Sequence, residues 1–225
     1  MVDAAGRMRR DAILLNALSI AAATGLYAIS YGVLAVAAGF SVAQTCALSL
    51  LAFTGASQFS FVAVTGAGGG LVAALAPSVL LAARNGIYAL TLDDVLHPRR
   101  RRRALEAQLV IDETTAMAHA QAGPEDRRRA FLTTGVLLFA CWNGGTLLGA
   151  LLGNGIDPEA FGLDALFPAV FLALLAAQLR DAGATRAALL GAVIALALVP
   201  FTPVGVPLLA ATLGCVASLR RRAPR

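Results

Sequence analysis

The sequence predicts an all-α, polytopic transmembrane helical bundle of about six or seven spans, with one or more broken or re-entrant helices. It reads as a single transporter-sized domain over residues 1–225. Three observations predict it. First, the chain is 58% hydrophobic and only 14% charged, with a mean hydropathy of +0.75. A soluble domain carries about a quarter charged residues, so this chain has too few to wet its own surface, and it is too apolar to be disordered. Second, the apolar residues come in long stretches, several of them near the ~20 residues that cross a bilayer as a helix. Third, the charge is clumped. All 18 basic residues are arginine, and they stand in runs at 99–103, 127–129 and 220–222. Such runs between apolar stretches mark cytoplasmic loops and tails under the positive-inside rule. They have no interleaved aromatics, so nucleic acid is not an expected partner.

Taken in order, 1–10 reads as a cytoplasmic tail and 13–38 as the first apolar segment. A basic start, an apolar run and small residues at 21–23 resemble a signal peptide, but the run is too long for one. Residues 42–65 and 71–92 follow as the second and third segments. Residues 97–129 form an Arg-flanked loop, within which 104–122 reads as one mildly apolar helix carrying Asp112 and Glu113. Residues 130–153 are a fourth segment. The fifth, 160–179, is interrupted by Asp164. The last stretch, 187–219, is broken by Pro200, Pro203 and Pro207 into two short pieces. The acidic loop of Asp157, Glu159 and Asp164 then faces outward, and the tail at 220–225 is cytoplasmic.

The first half breaks this alternation. Arg7, Arg9 and Arg10 argue for an inside start and 99–103 for an inside loop, yet three apolar segments lie between them. Either the N-terminus is outside, or one segment enters and leaves on the same side. The second option is favoured, with 42–65 as the re-entrant segment. It carries Thr54, Gly55, Ser57 and Gln58 at mid-depth. Polar, glycine-broken backbone is tolerated there only against protein or a cavity.

Polar groups inside apolar segments are the functional leads, because a charge at the bilayer centre costs about 2.5–3.5 kcal/mol on insertion scales. Arg84 lies well inside 71–92, with Tyr88 one turn on. It reads equally as a fork for a carboxylate or as half of a structural ion pair. On the predicted 104–122 helix, Leu105, Leu109, Asp112 and Ala116 share one stripe, and Val110, Glu113 and Met117 the next. Both carboxylates then face the apolar side, about 100° apart. One is placed to pair with Arg84 and the other to take a proton, unless both simply offset nearby arginines. Gln58 and Asn143 are neutral hydrogen-bonding groups at depth, next to Trp142. Gly145, Gly149 and Gly153 make two consecutive small-residue steps on one helix face, a site of close helix packing.

Several chemistries have no support. Cys46, Cys141 and Cys215 stand singly in apolar segments, and His97 and His119 are not at ligand spacing, so neither a disulfide framework nor a metal is expected. There is no phosphate-binding loop, HExxH or GxSxG. The chain is expected not to be an enzyme and to need no cofactor.

Four patches resemble the AzlC family of branched-chain amino acid exporters, as its large permease subunit. They are Phe53-Thr-Gly55-Ala-Ser-Gln58-Phe59, Ala83-Arg84-Asn85-Gly-Ile-Tyr88-Ala89, Ile111-Asp112-Glu113-Thr114, and Trp142-Asn143-Gly-Gly145-Thr146 with Gly149. Their order and spacing fit over about 12–219. Two positions depart from the family pattern: Ala82 stands for its first Asn in the arginine element, and Asn85 for its His. The resemblance implies a bacterial inner-membrane exporter of branched-chain (hydrophobic) amino acids, with a small AzlD-type membrane subunit as partner. A secondary, ion-coupled mechanism fits better than an ATP-driven one. Gln58, Arg84, Asn85, Tyr88, Trp142 and Asn143 are then expected to line the substrate path. Asp112 and Glu113 are expected to couple ions or pair with Arg84, and Gly55, Gly145, Gly149 and Gly153 to pack helices. A passive channel for a small solute and a non-transporting scaffold subunit remain as alternatives, and a homo-oligomer is left open.

Overall fold

The computed structural model describes residues 2–153, 182–203 and 205–215, with isolated positions between 172 and 179. The described elements are helices: α1 (Val2–Ala37), α2 (Val42–Leu51), α3 (Ala56–Gly66), α4 (Leu71–Thr91), α5 (Arg100–Ala107), α6 (Asp112–His119), α7 (Pro124–Gly153), α8 (Ala182–Leu198) and α9 (Val206–Ala211). Among the described residues, three helical stretches are long and apolar enough to cross a membrane: Gly6–Ala37, Leu71–Thr91 and Pro124–Gly153. The acidic loop at 157–164, nearly all of the expected segment 160–179 and the tail at 220–225 lie outside the described residues.

The backbone of the fold is the α1–α7 pair. The two helices run parallel and touch main chain to main chain. A Cβ added at Gly145 would lie 2.2 Å from the Gly25 carbonyl oxygen, one at Gly149 2.0 Å from that of Ile29, and one at Gly153 2.9 Å from Val33 Cα. From the other side, a Cβ on Gly32 would meet the Thr146 oxygen at 2.3 Å. Glycines on both helices thus remove the side-chain layer that normally holds helices about 8–10 Å apart. At the start of both helices, Arg9 pairs with Asp126 at 3.3 Å.

That end of the bundle collects the arginine runs at 99–103 and 127–129. Arg127 pairs with Asp94 at 2.5 Å, Arg128 with Glu106 at 2.6 Å, and Arg103 with Asp93. The N-terminal end of α1 therefore lies at the same end as the loop carrying 99–103.

The middle apolar segment accounts for this. α2 and α3, at 10 and 11 residues, are each too short to cross. α2 leaves the far end, runs antiparallel to α7 and bonds it through Ser49 and Thr146 hydroxyls at 3.2 Å. It stops level with the middle of α7, where the Phe53 and Phe139 rings stand 5.0 Å apart. The chain turns at Gly55, with φ +60°, a left-handed conformation that glycine tolerates. α3 then runs back, bringing Gly66 against Ala38 at the far end. Residues 42–66 thus form a helix-break-helix hairpin that enters and leaves on one side.

The single helix expected over 104–122 is not formed, which corrects the sequence reading. The chain turns over Gln108–Ile111 between α5 and α6. Leu105, placed on the apolar stripe, is 76% exposed. The turn is held by Thr114, whose Oγ1 accepts from the Ile111 N–H at 3.1 Å and donates to the Leu109 carbonyl at 2.7 Å. The turn penetrates the bundle: Leu109 packs on Gly135, and Ile111 joins the core of Phe53, Leu138 and Trp142. On the way out, Met117 meets Ile13, Ala17 and Ala130. This is a second hairpin, entering from the arginine end. The last described stretch is broken as expected, with α8 ending at a turn before Pro203 and Pro207 opening α9. Gly205 there seats against the Ala73 carbonyl of α4.

Candidate functional site

The two hairpins meet tip to tip. Gln108 Nε2 donates to the carbonyls of Leu50 and Leu51, at 3.0 and 3.1 Å. Gln58 Nε2 donates to the Leu48 carbonyl at 3.2 Å, and its Oε1 accepts from the Gly55 N–H at 3.2 Å. A helix ending at depth strands its last carbonyls where water cannot reach them. Here Gln108 serves two of those carbonyls, while Gln58 adds a second bond to Leu48, whose carbonyl already accepts from the Ala52 N–H. Gln58 is almost fully buried, and both ends of its amide are used in tying α2 to α3.

Arg84 of α4 reaches the tip of the second hairpin. Its guanidinium contacts Asp112 at 2.8 Å, with side chains 36% and 37% exposed. The pair is therefore partly exposed rather than sealed, and Asp112 is the carboxylate that meets Arg84. Both carboxylates sit in the first turn of α6, where a helix N-terminus favours negative charge. Glu113, the next residue, is half-buried.

The other sequence-selected residues divide between two places. Tyr88 packs with Leu92, Val95 and Phe131 near the arginine end. Asn143 Nδ2 donates to the Phe139 carbonyl one turn back at 2.8 Å, leaving its Oδ1 buried without a partner, as is Asn85 Oδ1. Trp142 lies beside Gly55, whose added Cβ would stand 3.6 Å from Cη2 of the indole.

Sequence reasoning missed Tyr27 and Tyr31. They stand one turn apart on α1 and pack on Phe59 (centroids 5.0 and 5.4 Å) and on Trp142 (both 6.1 Å). The signal was present as an i, i+4 tyrosine pair in a span with no other aromatic residue. Among the described residues, no group of three His, Cys, Asp or Glu is arranged to hold a metal ion.

Opposed broken helices and an internal ion pair inside an apolar helical bundle define a polytopic membrane protein with a polar centre. The AzlC protein family model matches residues 19–156, and the chain belongs to that family. Among its relatives is the inner membrane protein YgaZ of Escherichia coli K12, 29% identical over 204 residues, 85% of this chain and 82% of the relative. An uncharacterized membrane protein of Archaeoglobus fulgidus is 32% identical over 184 residues, 80% of each chain. One of Helicobacter pylori strain 26695 is 27% identical over 172 residues, 76% of this chain and 75% of the relative. No solved structure matches.

Proposed function

We propose that this protein is an exporter of branched-chain, hydrophobic amino acids, ion-coupled and working with a small AzlD-type membrane subunit. The observation that carries the reading is the Arg84–Asp112 pair at 2.8 Å, beside the junction of two hairpins that enter from opposite ends. Transporters build their central sites from discontinuous helices of this kind. In this mechanism the pair is a lock. Protonation of Asp112 or of its neighbour Glu113 weakens the attraction, frees Arg84 and lets the hairpin tips part. Alternating access then exposes the centre to each side in turn. The arginine end faces the cytoplasm of a bacterial inner membrane, and the positive-inside rule assigns the C-terminal tail to that side too. The chain acts in transport rather than catalysis.

The test is leucine efflux from a strain lacking its own exporters, with the small subunit co-expressed or withheld and with or without an uncoupler. Export that collapses with the uncoupler supports the reading. Export that persists indicates a passive channel. No export of any branched-chain amino acid indicates a scaffold. Wild-type rates from Arg84→Ala and from Asp112→Asn with Glu113→Gln overturn the lock.

A further inference from the structure

The Arg84–Asp112 pair leaves the substrate's carboxylate without an obvious holder, since the Arg84 guanidinium is already engaged. The aromatic cluster between α1, α3 and α7 offers another. It contains three polar atoms that are buried and have no hydrogen-bond partner: Tyr27 Oη, Tyr31 Oη and Trp142 Nε1. Tyr31 is fully buried and Trp142 is 4% exposed. Buried donors without partners are rare in folded proteins and each needs an explanation. Three of them in one set of mutually packed rings amounts to a donor set awaiting an acceptor.

The cluster lies against the start of α3. Phe59, against which both tyrosines pack, is in the first turns of that helix, and the benzo edge of Trp142 lies near Gly55, its N-cap. Gly55 brings no side chain to cap the N–H groups that follow it. The 11-residue helix therefore presents the positive end of its dipole at mid-depth. Hydroxyl and indole N–H groups beside a helix N-terminus suit a carboxylate that must be bound and then released.

We propose that Tyr27, Tyr31 and Trp142, with the N-terminus of α3, form the carboxylate subsite for the transported amino acid. This rests on the exporter reading above and assigns the carboxylate to the aromatic cluster instead of to Arg84. Phe59 and Trp142, whose rings meet edge to face, bring apolar surface to the same cluster, suited to an aliphatic side chain.

Trp142 is the sole tryptophan, so its emission reports directly on the subsite in the purified full chain. L-leucine and 4-methylpentanoate should shift it saturably, whereas leucinol, which lacks the carboxylate, should not. Tyr27→Phe and Tyr31→Phe remove one hydroxyl each and keep the rings. Each should weaken the leucine response about tenfold or more, as expected for a lost hydrogen bond to a charged acceptor. Far-UV circular dichroism and gel-filtration profiles check that the variants fold. No response to either carboxylate, or tyrosine variants that respond as wild type does, overturns the subsite. The two readings fail separately. Vesicles that carry leucine with no emission change refute the subsite and keep the exporter. A carboxylate response without leucine transport keeps the subsite and refutes the exporter.

Discussion

Replacing Gly149 with alanine adds one methyl group where the structure has no room for it. The new Cβ would stand 2.0 Å from the Ile29 carbonyl oxygen, about 1.4 Å short of the 3.4 Å at which ordinary contact begins. The obstacle is backbone of α1, which cannot rotate aside as a side chain would. The helices must part by roughly 1 Å or more, which loosens the neighbouring contacts at Gly32 and Gly145 as well. Overpacking of this kind costs about 1–3 kcal/mol, and the rigidity of both partners argues for the upper half of that range. Gly144, one residue before the packing stripe begins, supplies the control. Nothing lies within 4 Å of a Cβ added there, and alanine is the better helix former by about 0.8–1 kcal/mol. Thermal unfolding in detergent, followed by loss of the monodisperse gel-filtration peak, should therefore show opposite signs. Gly149→Ala should melt lower than wild type, and Gly144→Ala at the same temperature or higher. Adding Gly32→Ala to Gly149→Ala should cost less than the two separate losses combined, because both open the same gap. Equal melting temperatures for Gly144→Ala and Gly149→Ala would refute the close parallel packing of α1 on α7.

Three further outcomes follow from the geometry. Gln108→Leu removes the donor to the Leu50 and Leu51 carbonyls, each exposed to a penalty of about 1–3 kcal/mol when unserved at depth; it should lower the melting point, while Gln108→Asn, with its amide one methylene shorter, should not restore it. Partial burial works against the charge of Glu106, but the Arg128 hydrogen bond and the His97 N–H outweigh it and hold the carboxyl below its usual range. The stabilisation is then present above the ordinary glutamate range and lost as pH falls through the lowered value. Wild type should melt above Glu106→Gln near neutral pH, and the gap should close in acid; a gap that widens in acid contradicts the pairing. With Cys46, Cys141 and Cys215 replaced, single cysteines at Val2 and Arg101 should label from the same side of a sealed vesicle, and labelling from opposite sides rejects the hairpin over 42–66.

The first hairpin was legible because it broke two independent rules at once. With an inside N-terminus, charge placement calls for an even number of crossings before residue 99, and Thr54, Gly55, Ser57 and Gln58 sit where polar backbone needs cover. The glycine face of α7 was legible from spacing, though its parallel partner α1 was not, since nothing local encodes which helix fills a groove. The second hairpin was hidden by its own residues. Its turn, Gln108-Leu-Val-Ile111, contains neither glycine nor proline, and Ile111 occupies the N-cap of α6, a position that usually carries Ser, Thr, Asp or Asn. The turn is specified by Thr114 from inside the following helix and by Leu50 and Leu51 from 57–58 residues away, beyond the reach of a periodicity argument. Tyr27 and Tyr31 were overlooked for the opposite reason. Tyrosine in a span reads as an interfacial anchor, and only the packing on Phe59 and Trp142 shows them at the centre.

The placement of the amides bears on why the breaks exist. A continuous helix satisfies its backbone within itself, so breaking one at depth strands several polar groups that a bilayer cannot solvate. This chain breaks two such segments and aims the breaks at one another. Gln58 offsets the cost within its own hairpin, whereas Gln108 does so across the junction. The two kinds of bond differ in consequence. Gln58 keeps α2 and α3 together whether or not the hairpins separate. Gln108 holds only while they touch, so parting the tips strands Leu50 and Leu51 unless water or a ligand enters to serve them. Arg84 and Asp112 sit at the same junction and share that property, since separation costs each its counter-ion. The contacts between hairpins are thus replaceable by a polar guest or a proton, while those within each hairpin and along the α1–α7 seam are not. A bundle with a rigid glycine-packed spine and an exchangeable polar junction has its softest mode at the meeting of the two hairpins, and a conformational change that moves α1 against α7 instead would have to break main-chain contacts as close as any among the described residues.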